Sequence, residues 1–295
     1  MNEIALRTGV HATLPAWKWL AGALVAGALA ALLPLSVSVL LLAGALAMVA
    51  LLVEPALAVM AMLAVAPLKA LIETEVSTAW PFDVGQAALL VSAAVWGLWR
   101  ISRAQSRAWP RAWVLVPLLM LSVGFVPSLW NAASVSAGMV EGAKWVAIVL
   151  LVVIVRDLAG AGRGEWIAFG VVWAAVLQAA LGIYQFYGGS GAAHLWIDEF
   201  RHFRAFGTFG QPNPFSAFMG LVLPLALGLA WGYAGRAWRN RRDTNRSRVR
   251  LDRALALWYG GCSLLLLAGL IASWGRGARL GFGVALITMV FFAPP

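Results

Sequence analysis

The sequence predicts an all-α, polytopic integral membrane helix bundle of about ten transmembrane helices, forming a single transmembrane domain over 1–295. Two observations carry that prediction. Of the 295 residues, 62% are hydrophobic and 12% are charged, with a mean hydropathy of +0.84, whereas a soluble domain carries about a quarter charged residues. The apolar residues are also gathered into runs separated by short polar or proline-bearing breaks, the arrangement expected of segments that cross a bilayer.

Taken in order, the apolar runs place helices at about 19–33, 35–53, 56–72, 84–99, 112–130, 139–155, 166–187, 212–235, 254–273 and 279–292. Pro34 and the Glu54-Pro55 pair separate the early ones, because proline disfavours helix at the residue before it. The run after Arg7 and Lys18 lacks a cleavage pattern and reads as a permanent span rather than a signal peptide. Cys262 is the only cysteine and lies in an apolar run, so no intramolecular disulfide or cysteine-built metal site can form. No metal or cofactor is expected.

The net charge of +10 would suit nucleic acid, but its distribution points elsewhere. Eight of the arginines lie between Arg236 and Arg253, in a segment flanked by apolar helices, and basic loops beside membrane spans are topology signals. Arg100, Arg103, Arg107 and Arg111 fill the loop 100–111, and Arg156 and Arg163 the loop 156–165. Helix counting puts these loops, the basic loop 236–253 and the N-terminus on the cytoplasmic side. The loops 73–83, 131–138, 188–211 and 274–278 then fall on the outer side, and the first two contain no Lys or Arg. No nucleic-acid partner is expected.

Two outer segments keep arginines against this rule. Arg201 and Arg204 lie in the loop 188–211, and Arg276 and Arg279 flank the outer end of the ninth helix. An anionic substrate or lipid is one reason for retaining them, and snorkelling to headgroups is the other. Around Arg204 the loop is polar and rich in glycine and proline, with Gly207, Gly210, Pro212, Asn213 and Pro214. Such irregular backbone at membrane depth normally lines a cavity or site. Pro212 and Pro214 suit a helix start with Asn213 or Ser216 as a cap, and free N–H groups there favour an anion. A fork-shaped guanidinium at Arg204 would match phosphate. The alternative is an ordinary capped re-entry turn. Arg276 between two glycines at a helix junction reads either as a functional charge facing a cavity or as a snorkelling side chain.

The remaining polar residues divide similarly. Lys69 and Glu73, and Glu141 and Lys144, can each share a helix face as neutralised pairs. Lys69 or Lys144 could instead add positive charge beside an anion site. Gln178, in the middle of the seventh helix, is expected to hydrogen-bond another helix. Trp80, Trp130, Trp196 and Trp274 read as part of an interfacial belt. His194 and His202 are the histidines of the outer loop, chemically suited to act as a base near neutral pH.

The motif Arg204-Ala-Phe-Gly-Thr-Phe-Gly-Gln-Pro-Asn213, followed about two helices later by Ser273-Trp-Gly-Arg-Gly-Ala278, resembles the signature segments of the bacterial O-antigen ligase and O-antigen polymerase superfamily. Relative to the usual second segment, Trp274 and Gly275 are extra. The resemblance implies a roughly twelve-helix protein of the bacterial inner membrane. It implies transfer of a glycan from an undecaprenyl-diphosphate-linked donor to an acceptor hydroxyl at the periplasmic face, without metal or nucleotide. Arg204 and Arg276 would bind the diphosphate, supported by Gly207, Asn213, Arg201, Arg279 and Lys69. The acceptor would be a glycan, a lipid A-core or a protein, corresponding to polymerase, ligase or protein O-oligosaccharyltransferase activity. A lipid-linked glycan transporter and a non-catalytic membrane scaffold are the readings from other classes. In that family the general base is a histidine in a later, large periplasmic loop. This chain reaches Pro295 before such a loop, so the 295 residues alone are expected to be inactive.

The topology is directly testable. A cysteine at Ser190 should react with an impermeant thiol reagent applied from the periplasm, while one at Thr244 should stay protected. The reverse pattern overturns the orientation.

Overall fold

The computed structural model describes residues 48–68, 84–102, 134–188, 195–197, 201–241 and 246–292, with isolated positions at 37, 44 and 120. The chain divides into two compact units, Met1–Ala50 and Leu51–Pro295. In the first unit the described residues are helical and exposed. The second holds every element discussed below.

The described residues are almost wholly helical. Helix α1 spans Ala56–Val65 and tightens into a 3-10 turn at Ala66–Leu68. It is followed by α2, Val84–Ser102, and α3, Val135–Leu158. Next come α4, Gly164–Gly188, α5, Pro212–Arg239, α6, Arg246–Ala272, and α7, Arg276–Phe292. Helices α3 and α4 meet at Ala159–Arg163, where Gly162 adopts φ 84° and breaks the helical course. Counting α3 and α4 as one 54-residue stretch, four helical segments among the described residues are long and apolar enough to cross a membrane. That stretch is more than twice the roughly 20 residues one crossing needs. The helices expected at 19–33 and 112–130 and much of 35–53 lie outside the described residues, as do Lys69, Glu73, Trp80, Trp130 and His194.

Two of the expected boundaries move for an identifiable reason. The basic segment 236–253 is largely helix rather than loop, because α5 runs on to Arg239 and α6 begins at Arg246. Arginine is a good helix former, so both helices extend past their apolar spans. Neither Asn213 nor Ser216 caps α5. Gln211 occupies the cap position without a side-chain bond, and the Ser216 hydroxyl instead donates to the Asn213 carbonyl at 2.9 Å.

Helices in lipid gain little from burying apolar surface against each other, so close packing of small residues carries association. The α1–α4 crossing has Gly170 against Met60, where an added Cβ would overlap the methionine. At the α4–α6 crossing an added Cβ on Gly269 would lie 3.1 Å from the Ala179 Cβ, and at α5–α7 one on Gly220 would lie 3.2 Å from the Ala278 carbonyl oxygen. Phe215, Met219, Leu223, Leu266 and Leu270 fill the α4–α5–α6 core. A second cluster joins Ala56, Val59, Met62, Trp99, Ile154, Leu158 and Ile167.

One end of this unit is tied by ion pairs. Asp157 accepts from Arg100 at 3.1 Å and from the Trp96 indole at 2.9 Å. Arg163 pairs with Glu54 and lies over the Trp99 ring. The opposite end, where α4 and α6 finish and α5 and α7 begin, carries the 201–211 segment and the Ser273–Arg276 turn.

If the glycine contacts set the packing, Gly170→Leu should destabilise the detergent-solubilised protein by about 1–3 kcal/mol through overpacking. Gly261→Leu, where an added Cβ meets nothing within 4 Å, should leave thermal unfolding close to the parent.

Candidate functional site

The site is built on a piece of irregular backbone seated against the ends of four helices. Trp196–Ile197 and His202–Phe203 form a two-residue antiparallel ladder, β1 and β2, with Trp196 opposite Phe203. Trp196 stacks on Phe203 with ring centroids 3.7 Å apart. The chain then enters the 204–210 segment, where Gly207 and Gly210 take φ 57° and 70°. Only glycine adopts that region without strain. At Gly207 a Cβ would in addition collide with Gln178 and Phe215.

Backbone without helix or sheet partners must find hydrogen bonds elsewhere. Here two glutamines of α4 supply them. The Gln185 amide accepts from the Gly207 N–H at 2.7 Å and the Phe206 N–H at 3.2 Å, and donates to the Gly207 carbonyl at 2.8 Å. Gln178 accepts from the Thr208 N–H at 2.9 Å and donates to the Thr208 hydroxyl at 2.8 Å. That hydroxyl donates in turn to the Pro67 carbonyl at 2.7 Å. Both glutamines and Thr208 are buried. Gln178 thus bonds a loop rather than another helix, and Gln185 was not singled out from the sequence. Its signal is the seven-residue spacing, two helical turns, which aligns both amides on one face of an otherwise apolar helix.

The two arginine-bearing segments meet here. The Ala205 N–H donates to the Ala272 carbonyl at 3.0 Å, and Arg204 Nε donates to the Ser273 carbonyl at 3.1 Å. Arg204 Nη2 reaches Asn213 Oδ1 at 3.4 Å. These bonds hold the guanidinium across the start of α5 and the end of α6, leaving Nη1 without a protein partner among the described residues.

Trp274 and Gly275 shape the turn between α6 and α7. Trp274 adopts φ 56°, the single non-glycine residue with positive φ among those described, a conformation costing about 1–2 kcal/mol. It reverses the chain after α6. Gly275 then packs directly on Ser216, where a Cβ would overlap that side chain. The Ser273 hydroxyl is fully buried, donating to the Leu270 carbonyl at 2.6 Å and accepting from the Gly275 N–H at 3.2 Å.

Arg276 is consequently the first residue of α7 and is exposed. A cation at a helix N-terminus opposes the helix dipole, so this position favours an anion beside it. Arg276 and Asn213 line the same open cleft of about 630 Å³ between α5 and α7. The cleft continues past Ser216 and Gly220 to Leu221, Pro224, Phe282 and Ala285. It is polar at the arginine end and apolar along its length. Pro224 is placed inside α5 and takes from Gly220, one turn earlier, its helical hydrogen-bond donor.

Of the other expected residues, Arg279 donates to the Gly275 carbonyl at 3.4 Å, and Arg201 is exposed beside β2. Lys144 is exposed and paired with Glu141 at 2.9 Å, and it does not line the cleft. Lys69 lies outside the described residues. The His202 ring is stacked on Phe186 at 4.5 Å and meets Tyr187 edge-on, with its buried Nδ1 unpaired among the described residues. Among the described residues it is held by aromatic packing, with no carboxylate orienting it as a base. In comparison with known proteins, the chain matches no family model, no curated protein and no solved structure.

Gln185→Leu strands the buried Gly207 N–H and carbonyl, each costing about 1–3 kcal/mol. Amide hydrogen exchange at 205–208 should accelerate by at least about tenfold, while exchange in the middle of α6 stays unchanged. Unchanged protection at Gly207 would show that the seat does not depend on Gln185.

Proposed function

We propose that this chain binds an undecaprenyl-diphosphate-linked glycan at the periplasmic face of the bacterial inner membrane and serves its transfer to an acceptor hydroxyl. This is the O-antigen ligase-like reading, with the N-terminus cytoplasmic and about ten spans. The observation that carries it is that the two arginine segments are joined beside one cleft: Arg204 is bonded to the Ser273 carbonyl and to Asn213, and Asn213 and Arg276 line the cleft wall. A diphosphate placed at the polar end would meet the Arg276 guanidinium and the start of α7, beside the Asn213 side chain that Arg204 bonds. The apolar length of the cleft, from Leu221 to Ala285, suits the hydrocarbon chain that such a donor carries.

Chemically, the departing group is a lipid diphosphate whose charge grows as the sugar leaves. Fixed cations aimed at that charge lower the barrier without reorganising. Arg204 is fixed by its two acceptors and by the glutamine-held backbone that follows it. Arg276 is fixed at its Cα by the Trp274–Gly275 turn, with its side chain free to follow the substrate.

Arg204→Ala and Arg276→Ala should each weaken retention of undecaprenyl diphosphate by the nanodisc-embedded protein at least about tenfold. In the protein as it works in its native membrane, each should lower glycan transfer about 10²-fold at normal membrane level. Parent-like retention and transfer by either variant removes that arginine from the site.

A further inference from the structure

The opposite end of the α5–α6 hairpin holds a second concave cluster of cations that the glycan reading does not use. Arg241, Arg246, Arg250 and Arg253 surround an open hollow of about 560 Å³, together with Val249. Arg246, Arg250 and Arg253 follow one another at four and three residues along α6, so they share one helix face. Like charges at that spacing repel, and the first of them stands at the helix N-terminus, where the dipole adds to the repulsion.

Among the described residues, neighbouring charges do not relieve it. Asp252 is the buried carboxylate of this end, and it faces Arg236 at 3.7 Å. Arg236 also lies over the Tyr233 ring at 4.1 Å. Arg241 is stacked over Trp238 at 4.3 Å, which fixes its guanidinium at the rim. Among the described residues, none of the four hollow arginines has a carboxylate within ion-pair distance. A positive-inside signal requires only charge number. It does not require four guanidiniums around one hollow floored by a buried valine.

We propose that this hollow binds the phosphate headgroup of an anionic phospholipid, with Arg241, Arg246, Arg250 and Arg253 as its ligands. The location selects the lipid over a soluble phosphate. Both α5 and α6 are long and apolar enough to cross a membrane, so their joining tip stands at the headgroup layer. Trp238 and Leu257 are 70% and 78% exposed on the adjoining turns, the kind of surface that meets the interface and the acyl chains beneath it. Guanidinium forks pair with phosphate oxygens two at a time, and a basic hollow between membrane helices is suited to a lipid with two phosphates.

The test is lipid retention by the purified chain in mild detergent, read by native mass spectrometry during titration with cardiolipin and, separately, phosphatidylcholine. The triple variant R246Q/R250Q/R253Q should bind cardiolipin about 100-fold more weakly, with phosphatidylcholine binding unchanged. Should the triple variant fail to insert, Arg250→Gln alone leaves most of the topology signal and should weaken cardiolipin about fivefold. Cardiolipin affinity within twofold of the parent in whichever variant inserts overturns the site. Sodium pyrophosphate added to the lipid-free protein should bind far more weakly than cardiolipin, and equal affinity overturns the lipid as the source of the phosphate. Arg204→Ala should leave cardiolipin retention at this end unchanged, which separates the site from the proposed glycan-donor cleft.

Discussion

Everything at the candidate site hangs on the pairing of two α4 glutamines with the backbone of 204–210. That backbone lies among helix ends, with two left-handed glycines and no ladder partner beyond Arg204 and Ala205. A buried amide group without a partner costs on the order of 1–3 kcal/mol, and Gln178 and Gln185 between them engage four backbone atoms and the Thr208 hydroxyl. Once the segment is seated, Ala205 and Arg204 fall beside the last turn of α6. The Arg204 guanidinium then bridges α6 to α5. Remove the glutamines and the arginine has no fixed origin, however favourable its own contacts.

The small residues of the bundle serve the same end. Gly182 lies against Phe215, Gly269 against Ala179 and Gly275 against Ser216. Each leaves no room for a Cβ between the glycine and the neighbouring segment. In lipid, where apolar side chains gain nothing by leaving one another for solvent, such contacts and interhelical hydrogen bonds are what remains to choose one arrangement. They also explain the division of charge. Asp157 with Arg100, and Glu54 with Arg163, tie helix ends together at one end of the second unit. At the other, the partners of Arg204 among the described residues are neutral acceptors.

Much of the helix layout was legible in the sequence, because long apolar runs and proline breaks report directly on spans. Pro212 as the start of α5, and the break between α6 and α7 around Trp274, follow from local chemistry. The two motif segments were also legible as site candidates, since polar backbone and arginine at a membrane boundary are costly without a purpose. What could not be read was how they meet. Bonds from Arg204 to Ser273 and from Thr208 to Pro67 join positions 69 and 141 residues apart, and no local pattern encodes such a pairing. Trp274 and Gly275 form the reversal that sets Arg276 at the head of α7. The helical extension of the basic segment is not legible in hydropathy, because charge marks the end of the apolar stretch and not the end of the helix.

The bond from Thr208 to the Pro67 carbonyl has a bearing on how the protein is made. A membrane chain is threaded into the bilayer from its N-terminus, so α1 arrives long before the segment that will rest on it. When 204–210 first emerges, α4 can offer its glutamines and α1 its terminal carbonyl, but Ala272 and Ser273 have yet to be synthesised. Half of the seat is therefore ready early, and the other half closes only when α6 is in place. Arg204 waits unfastened in the interval. Assembly order is thus written into the sequence separations of these bonds: the cleft can take its shape only once α6 and α7 have joined α5.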